Sequence, residues 1–265
     1  MNEVVTRTLS GIVYIALLIG AILFSEYTFQ ALFSVFLLIA VYEFCKLYTI
    51  NKVAGFGIAI AISSILYFIH NNSLNTILLI SVPFSIFLIV DLIQNKPHKQ
   101  PNQLQKLTHL IGYVILPFLI ILQLPYIGNV YTPLLLISIF IMIWCNDTFA
   151  YICGKLLGKH KLYEKISPKK TIEGFIGGVI FTQIAALIIY YNTQLNASLL
   201  FWLVLAFVVS LMGTIGDLIE SKYKRQAGVK DSGAIMPGHG GILDRLDSII
   251  FAAPFLFLIY KNFYF

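Results

Sequence analysis

"SGIVYIALLIGAILFS", Ser10–Ser25, contains no charged residue and no proline. A helix rises about 1.5 Å per residue and the hydrocarbon core is about 30 Å thick, so roughly 20 apolar residues cross a bilayer. Helices suit that task because lipid cannot satisfy stray backbone groups. The run is apolar enough for a secretion signal, but no clear small-x-small cleavage site follows it, so it reads as a first membrane helix left in place. Runs of the same kind recur along the chain, at about 9–26, 29–48, 53–70, 74–94, 107–127, 132–153, 172–191, 198–220 and 242–261. The expected fold is therefore all-α, a polytopic membrane protein of about nine transmembrane helices.

Composition supports this. Of 265 residues 58% are hydrophobic and 11% charged, whereas soluble domains sit near about 45–50% apolar. A net charge of +6 would suggest nucleic acid as a partner for a soluble protein; here no nucleic acid is expected, and the charge reads as topology. With the N-terminus cytoplasmic, segments 1–8, 46–52, 95–106, 154–171 and 221–245 lie inside and hold all but one of the 18 Lys and Arg residues, Lys261 being the exception. Positive loops favour the cytoplasmic side. Cys45, Cys145 and Cys153 lie in or at the ends of apolar runs and form no CxxC pair. They are read as packing residues, with neither a disulfide framework nor a zinc site. No linker or internal repeat is evident. The chain reads as a single membrane-embedded domain, 1–265, with N-terminal spans over 1–130 and chemistry-bearing spans over 131–265.

The charges are concentrated in "SKYKRQAGVKDSGAIMPGHGGILDRLDS", Ser221–Ser248. Just before it, Asp217 begins a series with Glu220, Ser221 and Lys224 at i, i+3, i+4 and i+7, which is one helix face. Asp244 and Asp247 are i, i+3 at the start of the last apolar run. Two helix ends can so present several carboxylates to one point, and carboxylate oxygens suit Mg²⁺ or Mn²⁺. Lys222, Lys224, Arg225, Lys230 and Arg245 supply cations for anions. In "PGHGG" the glycines allow close backbone approach to a phosphate, and His239 reads as a loop residue for a polar ligand. A further element is "WCNDTFAYICGKLLGKHKLYEKISPKKTIEGFIGG". Asp147 and Tyr151 share a face there, and Ser167-Pro168 reads as N-cap and N1 of the next helix, beside Lys169 and Lys170 as an anion site. Gly154 and Gly158, and Gly174 and Gly178, fit GxxxG helix packing. Glu43 and Asp91 read as interfacial, solvated acids.

Together these motifs resemble the signature of the phosphatidate cytidylyltransferases: Ser-x-apolar-Lys-Arg, then Lys-Asp-x-Gly, then Pro-x-His-Gly-Gly-apolar-x-Asp-Arg-apolar-Asp. The matching positions are Ser221, Lys224, Arg225, Lys230, Asp231, Gly233, Pro237, His239, Gly240, Gly241, Asp244, Arg245 and Asp247. Tyr223 and Met236 depart mildly from it. "NDTFAYICGKLLGKHK" and "SPKKTIEG" also look like the family. The likeness is specific over about 144–248 and loose before it.

The resemblance implies that CTP and phosphatidic acid react to CDP-diacylglycerol and pyrophosphate with Mg²⁺, in phospholipid biosynthesis. Asp217 and Asp244 are then expected as metal ligands, with Asp247, Asp231 and Asp147 next. Lys224, Arg225, Lys230 and Arg245 are expected to grip phosphates. Ser221, His239, Gly240 and Gly241 would contact the nucleotide or a phosphate, and Ser167, Lys170 and Thr171 the other substrate. The sequence assigns neither the number of metals nor a monovalent cation. The expected setting is the cell membrane, with the site on the cytoplasmic side, the bilayer as partner, and a homodimer compatible with the chain. A CTP-dependent polyprenol-type kinase would instead move the γ-phosphoryl to an alcohol. A secondary transporter would show inverted repeats and broken midplane helices, and a membrane scaffold leaves the charged cluster unused.

Overall fold

The computed structural model describes residues 3–68, 73–94, 101–127, 130–193, 195–236, 238 and 240–263. Each expected apolar run is mainly helical in its described part, although the run at 107–127 leaves the helix after Ile121. α1 (Glu3–Phe24) and α2 (Glu26–Leu47) are separated by Ser25 alone. Its hydroxyl accepts from the Thr28 amide, and Thr28 answers the Ser25 amide, each at 3.1 Å, a reciprocal N-terminal box that starts α2 at once. α3 (Lys52–Phe68) and α4 (Ser73–Gln94) follow.

The next run is divided into α5 (Gln103–His109), a π-helical turn (Leu110–Ile115) and α6 (Leu116–Ile121). Pro117 has no N–H for the carbonyl four residues back, and its ring crowds that carbonyl; the chain widens there, and the Leu116 amide bonds Ile111 instead. A two-residue ribbon, β1 (Tyr126–Ile127) with β2 (Val130–Tyr131), leads into α7 (Pro133–Leu157).

Between α7 and α8 (Ile172–Asn192) the structure differs from the expectation. Ser167 and Pro168 are not the N-cap and N1 of a helix. They belong to β4 (Ser167–Thr171), antiparallel to β3 (Lys161–Tyr163), with Lys161 opposite Thr171 and Tyr163 opposite Ser167. The cap of α8 is Thr171, whose hydroxyl accepts from the Gly174 amide at 3.1 Å. The Ser-Pro pair satisfies a local helix-start pattern, but pairing with 161–163 holds it extended. α9 (Leu199–Gln226) runs about a turn and a half past its expected end, and α10 (Leu243–Phe263) completes the chain.

Among the described residues six helices are long and apolar enough to cross a membrane: Glu26–Leu47, Asn75–Gln94, Gln103–Ile121, Pro133–Leu157, Ile172–Asn192 and Leu199–Gln226. Thr8–Phe24 and Lys52–Ile65 are apolar but shorter. α10 lies at the centre, against α9, α6 and α4, and buries Leu246, Ile249, Ile250, Phe251, Ala252, Ala253 and Leu256. Small residues set the spacing. A Cβ on Gly216 would lie 2.7 Å from Phe251 Cβ and 2.8 Å from the Asp247 carbonyl, and one on Gly154 would lie 3.5 Å from Gly174 Cα. Both GxxxG pairs thus serve α7–α8 packing and its edge, since a Cβ on Gly158 would meet Thr171 and one on Gly178 would meet Asn146. Many large apolar side chains on the outside of the bundle, such as Leu79, Ile93, Ile180 and Leu200, face outward.

Glu43, expected as a solvated interfacial acid, is buried instead, whereas Asp91, expected alike, keeps 37% of its side chain exposed and pairs with the buried Lys222. Lys222 Nζ donates to the Asp91 carboxylate at 2.6 Å and to its carbonyl at 2.9 Å. Glu43 is 1% exposed and accepts from the amides of Ile242 and Leu243. Burying a carboxylate is tolerable only with such partners.

Candidate active site

α7, α9, α10 and the β3–β4 hairpin enclose a cleft of about 800 Å³. α9 supplies its floor. Asp217, Glu220, Ser221 and Lys224 share a face, as their spacing requires. Ser221 Oγ donates to Asp217 Oδ1 at 3.2 Å, and Lys224 pairs with Glu220 one turn away. The hairpin brings Lys170 across the cleft to Asp217, Nζ to Oδ2 2.5 Å. α10 contributes Asp244, Arg245 and Asp247, and α7 contributes Asp147 beside Asn146, whose Nδ2 donates to Asp147 Oδ1 at 3.3 Å.

Asp244 is strongly engaged. Its Oδ1 accepts from Lys224 at 2.7 Å. Its Oδ2 accepts from the Ser232 amide at 2.9 Å, the Ser232 hydroxyl at 2.8 Å and the Gly241 amide at 2.7 Å. Gly240, at φ +83°, makes the turn that permits this, and a Cβ there would run into the Asp244 carboxylate.

Among the described residues the carboxylates that converge are Asp217, Glu220 and Asp247, each offering an oxygen within 4.8 Å of the others. Asp244 is not in that group; it reaches it through Lys224, which bridges Glu220 and Asp244. Glu220 is 2% exposed, and its Oε1 has no hydrogen-bond partner. A buried carboxylate oxygen left without a donor, inside a trio of acids, fits a divalent cation. This acidic cluster could hold a metal ion.

Of the expected site residues, Asp147, Lys170, Thr171, Asp217, Lys224, Asp231, Asp244, Arg245 and Asp247 line the cleft, and Ser221 and Gly241 bond to lining carboxylates. Arg225, Lys230 and Ser167 are not among the lining residues; Arg225 donates to its own helix-end neighbour, the Val229 carbonyl, at 3.3 Å. Thr171 is buried as the cap of α8. His239 and Pro237 lie outside the described residues.

Sequence reasoning left Glu220 out of the ligand set although its spacing put it on the face of Asp217. It also missed Ser232, and Asn146, Lys155 and Lys161 on the cleft wall, whereas Tyr151 and Lys169, both singled out from the sequence, line it. A smaller cavity of about 210 Å³ adjoins, sharing Asp147, Asp244, Arg245, Asp247 and Ser248 with the cleft and walled by Tyr14, Ile15, Phe140, Ile143 and Trp144.

The model of the cytidylyltransferase family matches residues 5–263. The phosphatidate cytidylyltransferases of Staphylococcus saprophyticus subsp. saprophyticus and Staphylococcus haemolyticus are each 51% identical to this chain over 117 residues. That match covers 44% of this chain and 45% of each relative. The protein of the same name from Staphylococcus aureus is 52% identical over the same length and shares. The matched stretch thus spans less than half of the curated relatives.

Proposed function

Because the chain belongs to the cytidylyltransferase family, we propose that it transfers the cytidylyl group of CTP to phosphatidic acid, releasing pyrophosphate and forming CDP-diacylglycerol. The observation that carries this reading is the meeting of Asp217, Glu220 and Asp247 in one cleft with Lys170, Lys224 and Arg245. Acids suited to a cation beside bases suited to phosphate are what a reaction between two anions needs.

A phosphate oxygen of phosphatidic acid attacks the α-phosphorus of CTP in line; the new P–O bond forms as the bond to the bridging β-phosphate oxygen breaks, and pyrophosphate leaves with that electron pair. The nucleophile is already anionic, so positioning and charge neutralisation dominate over general-base work. Lys170, Lys224 and Arg245 bind phosphate oxygens. Asp217, Glu220 and Asp247 would hold Mg²⁺, which supplies positive charge to the phosphates when bound. Asp244 fixes Lys224, Asp231 and Asp147 bound the cleft, and Ser221, Gly240, Gly241 and His239 belong to the nucleotide side of the reading. The apolar-walled cavity beside the acids suits the glycerol end of the lipid.

The nine helical runs among the described residues are proposed as nine spans with a cytoplasmic N-terminus, in the cell membrane, with the cleft on the cytoplasmic side. The placement of all Lys and Arg but Lys261 supports that orientation.

With the purified full chain and phosphatidic acid vesicles, label from α-labelled CTP is expected in lipid and label from γ-labelled CTP in free pyrophosphate. Transfer of the γ label to a lipid alcohol would replace this reading with the kinase.

A further inference from the structure

Glu43 lies on α2, in the half of the chain without the motif, yet its carboxylate sits under the site's glycine loop. Oε1 accepts from the Ile242 amide at 3.1 Å and Oε2 from the Leu243 amide at 2.9 Å. It thereby caps α10 from outside, where Gly241 and Ile242 have no side chain able to do so. A Cβ added to Gly233 or to Gly241 would run into the same carboxylate. Both arms of the loop therefore cross Glu43 in contact.

Ser232 completes the link. Its hydroxyl lies 3.3 Å from Glu43 Oε2 and 2.8 Å from Asp244 Oδ2. Asp244 in turn holds Lys224, and Lys224 also contacts Glu220. If Asp244 let go, the ammonium would be left to Glu220 alone and would compete with any cation for that carboxylate.

We propose that Glu43 is a positioning residue for the cytidylyl transfer: by holding Ser232 and the Gly241–Leu243 turn it keeps Asp244 on Lys224, so that Asp217, Glu220 and Asp247 remain available to a divalent cation. The proposal rests on the activity read above, but its first readout does not. Glu43 lines no part of the cleft, so it acts through Ser232 and Asp244.

The test compares wild type, Glu43→Gln and Ser232→Ala as full chains in detergent. Gln keeps the shape and loses one acceptor, and Ala removes the hydroxyl that joins Glu43 to Asp244 while leaving the residue-232 amide on Asp244 and the cap of α10. Mn²⁺ affinity, followed by electron paramagnetic resonance, is expected to weaken in both variants by about 10–100-fold, the usual effect of losing a residue that orients a metal site. The Mg²⁺ needed for half-maximal turnover is expected to rise in parallel, with kcat lowered and KM for phosphatidic acid unchanged. The double variant should be no worse than Glu43→Gln alone. Wild-type Mn²⁺ affinity and Mg²⁺ requirement per folded molecule in both variants would overturn the proposal and leave Glu43 a helix cap. If wild type itself moves no cytidylyl group, the activity reading fails, and Mn²⁺ affinity still decides the role of Glu43.

Discussion

Asp217 holds two partners in the structure, Ser221 and Lys170, while Asp244 holds Lys224 and three loop groups. These differences set what each acid should do. Asp217→Asn removes charge from the trio that would hold the cation. It is expected to lower turnover by about 10²–10³ or more, as loss of a strong electrostatic contributor does, with a raised Mg²⁺ requirement. Asp247→Asn should behave alike. Asp244→Asn should also abolish most turnover, by releasing Lys224. If these acids were only helix caps, substitution would cost about 1 kcal/mol of stability and leave turnover near wild type. Activity per folded protein across a Mg²⁺ titration separates the two. At this scale the sequence was legible wherever partners lie within one turn: Asp217 with Ser221, Glu220 with Lys224. It was illegible where they do not. Glu43 meets Ile242 at a separation of 199 residues and Asp91 meets Lys222 at 131. The only local sign of either is an acid in an apolar run, which interfacial solvation explains equally well.

Helix ends show what local chemistry decides and what it does not. α9 stops in a left-handed turn at Gly228, φ +71°, with the Val229 amide on the Lys224 carbonyl at 2.9 Å. α2 stops in the same way at Thr49, φ +52°, with the Ile50 amide on the Cys45 carbonyl at 2.9 Å. Glycine adopts that conformation freely and a β-branched residue does not. Thr49→Gly relieves roughly 1–2 kcal/mol of backbone strain and adds roughly 0.5–1 kcal/mol of unfolded-state entropy, a net gain of about 0–1.5 kcal/mol. A higher midpoint of thermal unfolding in detergent is expected; a lower one would contradict the strain argument. The β3–β4 hairpin illustrates the opposite limit. "SPKKT" carries a convincing helix start, but hairpin pairing with residues 161–163, four to ten residues back, overrides it. The hairpin is tied down from afar, since the Tyr163 hydroxyl donates to the Leu92 carbonyl at 2.8 Å.

Elements from both halves of the chain meet in the bundle. Apolar runs alone reveal where the helices lie, because each must bury or expose apolar surface along its whole length. They do not reveal that α10, with Asp244, Arg245 and Asp247 in its first turns, sits in the centre of the bundle. Nor do they show that α2 meets the start of α10 through Glu43, or that α4 meets α9 through Asp91 and Lys222. The proposed activity and the proposed orientation meet in one measurement: lipid labelling from α-labelled CTP in sealed vesicles of known sidedness, containing the full chain and phosphatidic acid. Inside-out vesicles are predicted to label lipid directly, and right-side-out vesicles only after permeabilisation. No label in lipid from either preparation after permeabilisation would contradict the activity, and labelling of intact right-side-out vesicles would contradict a cytoplasmic site.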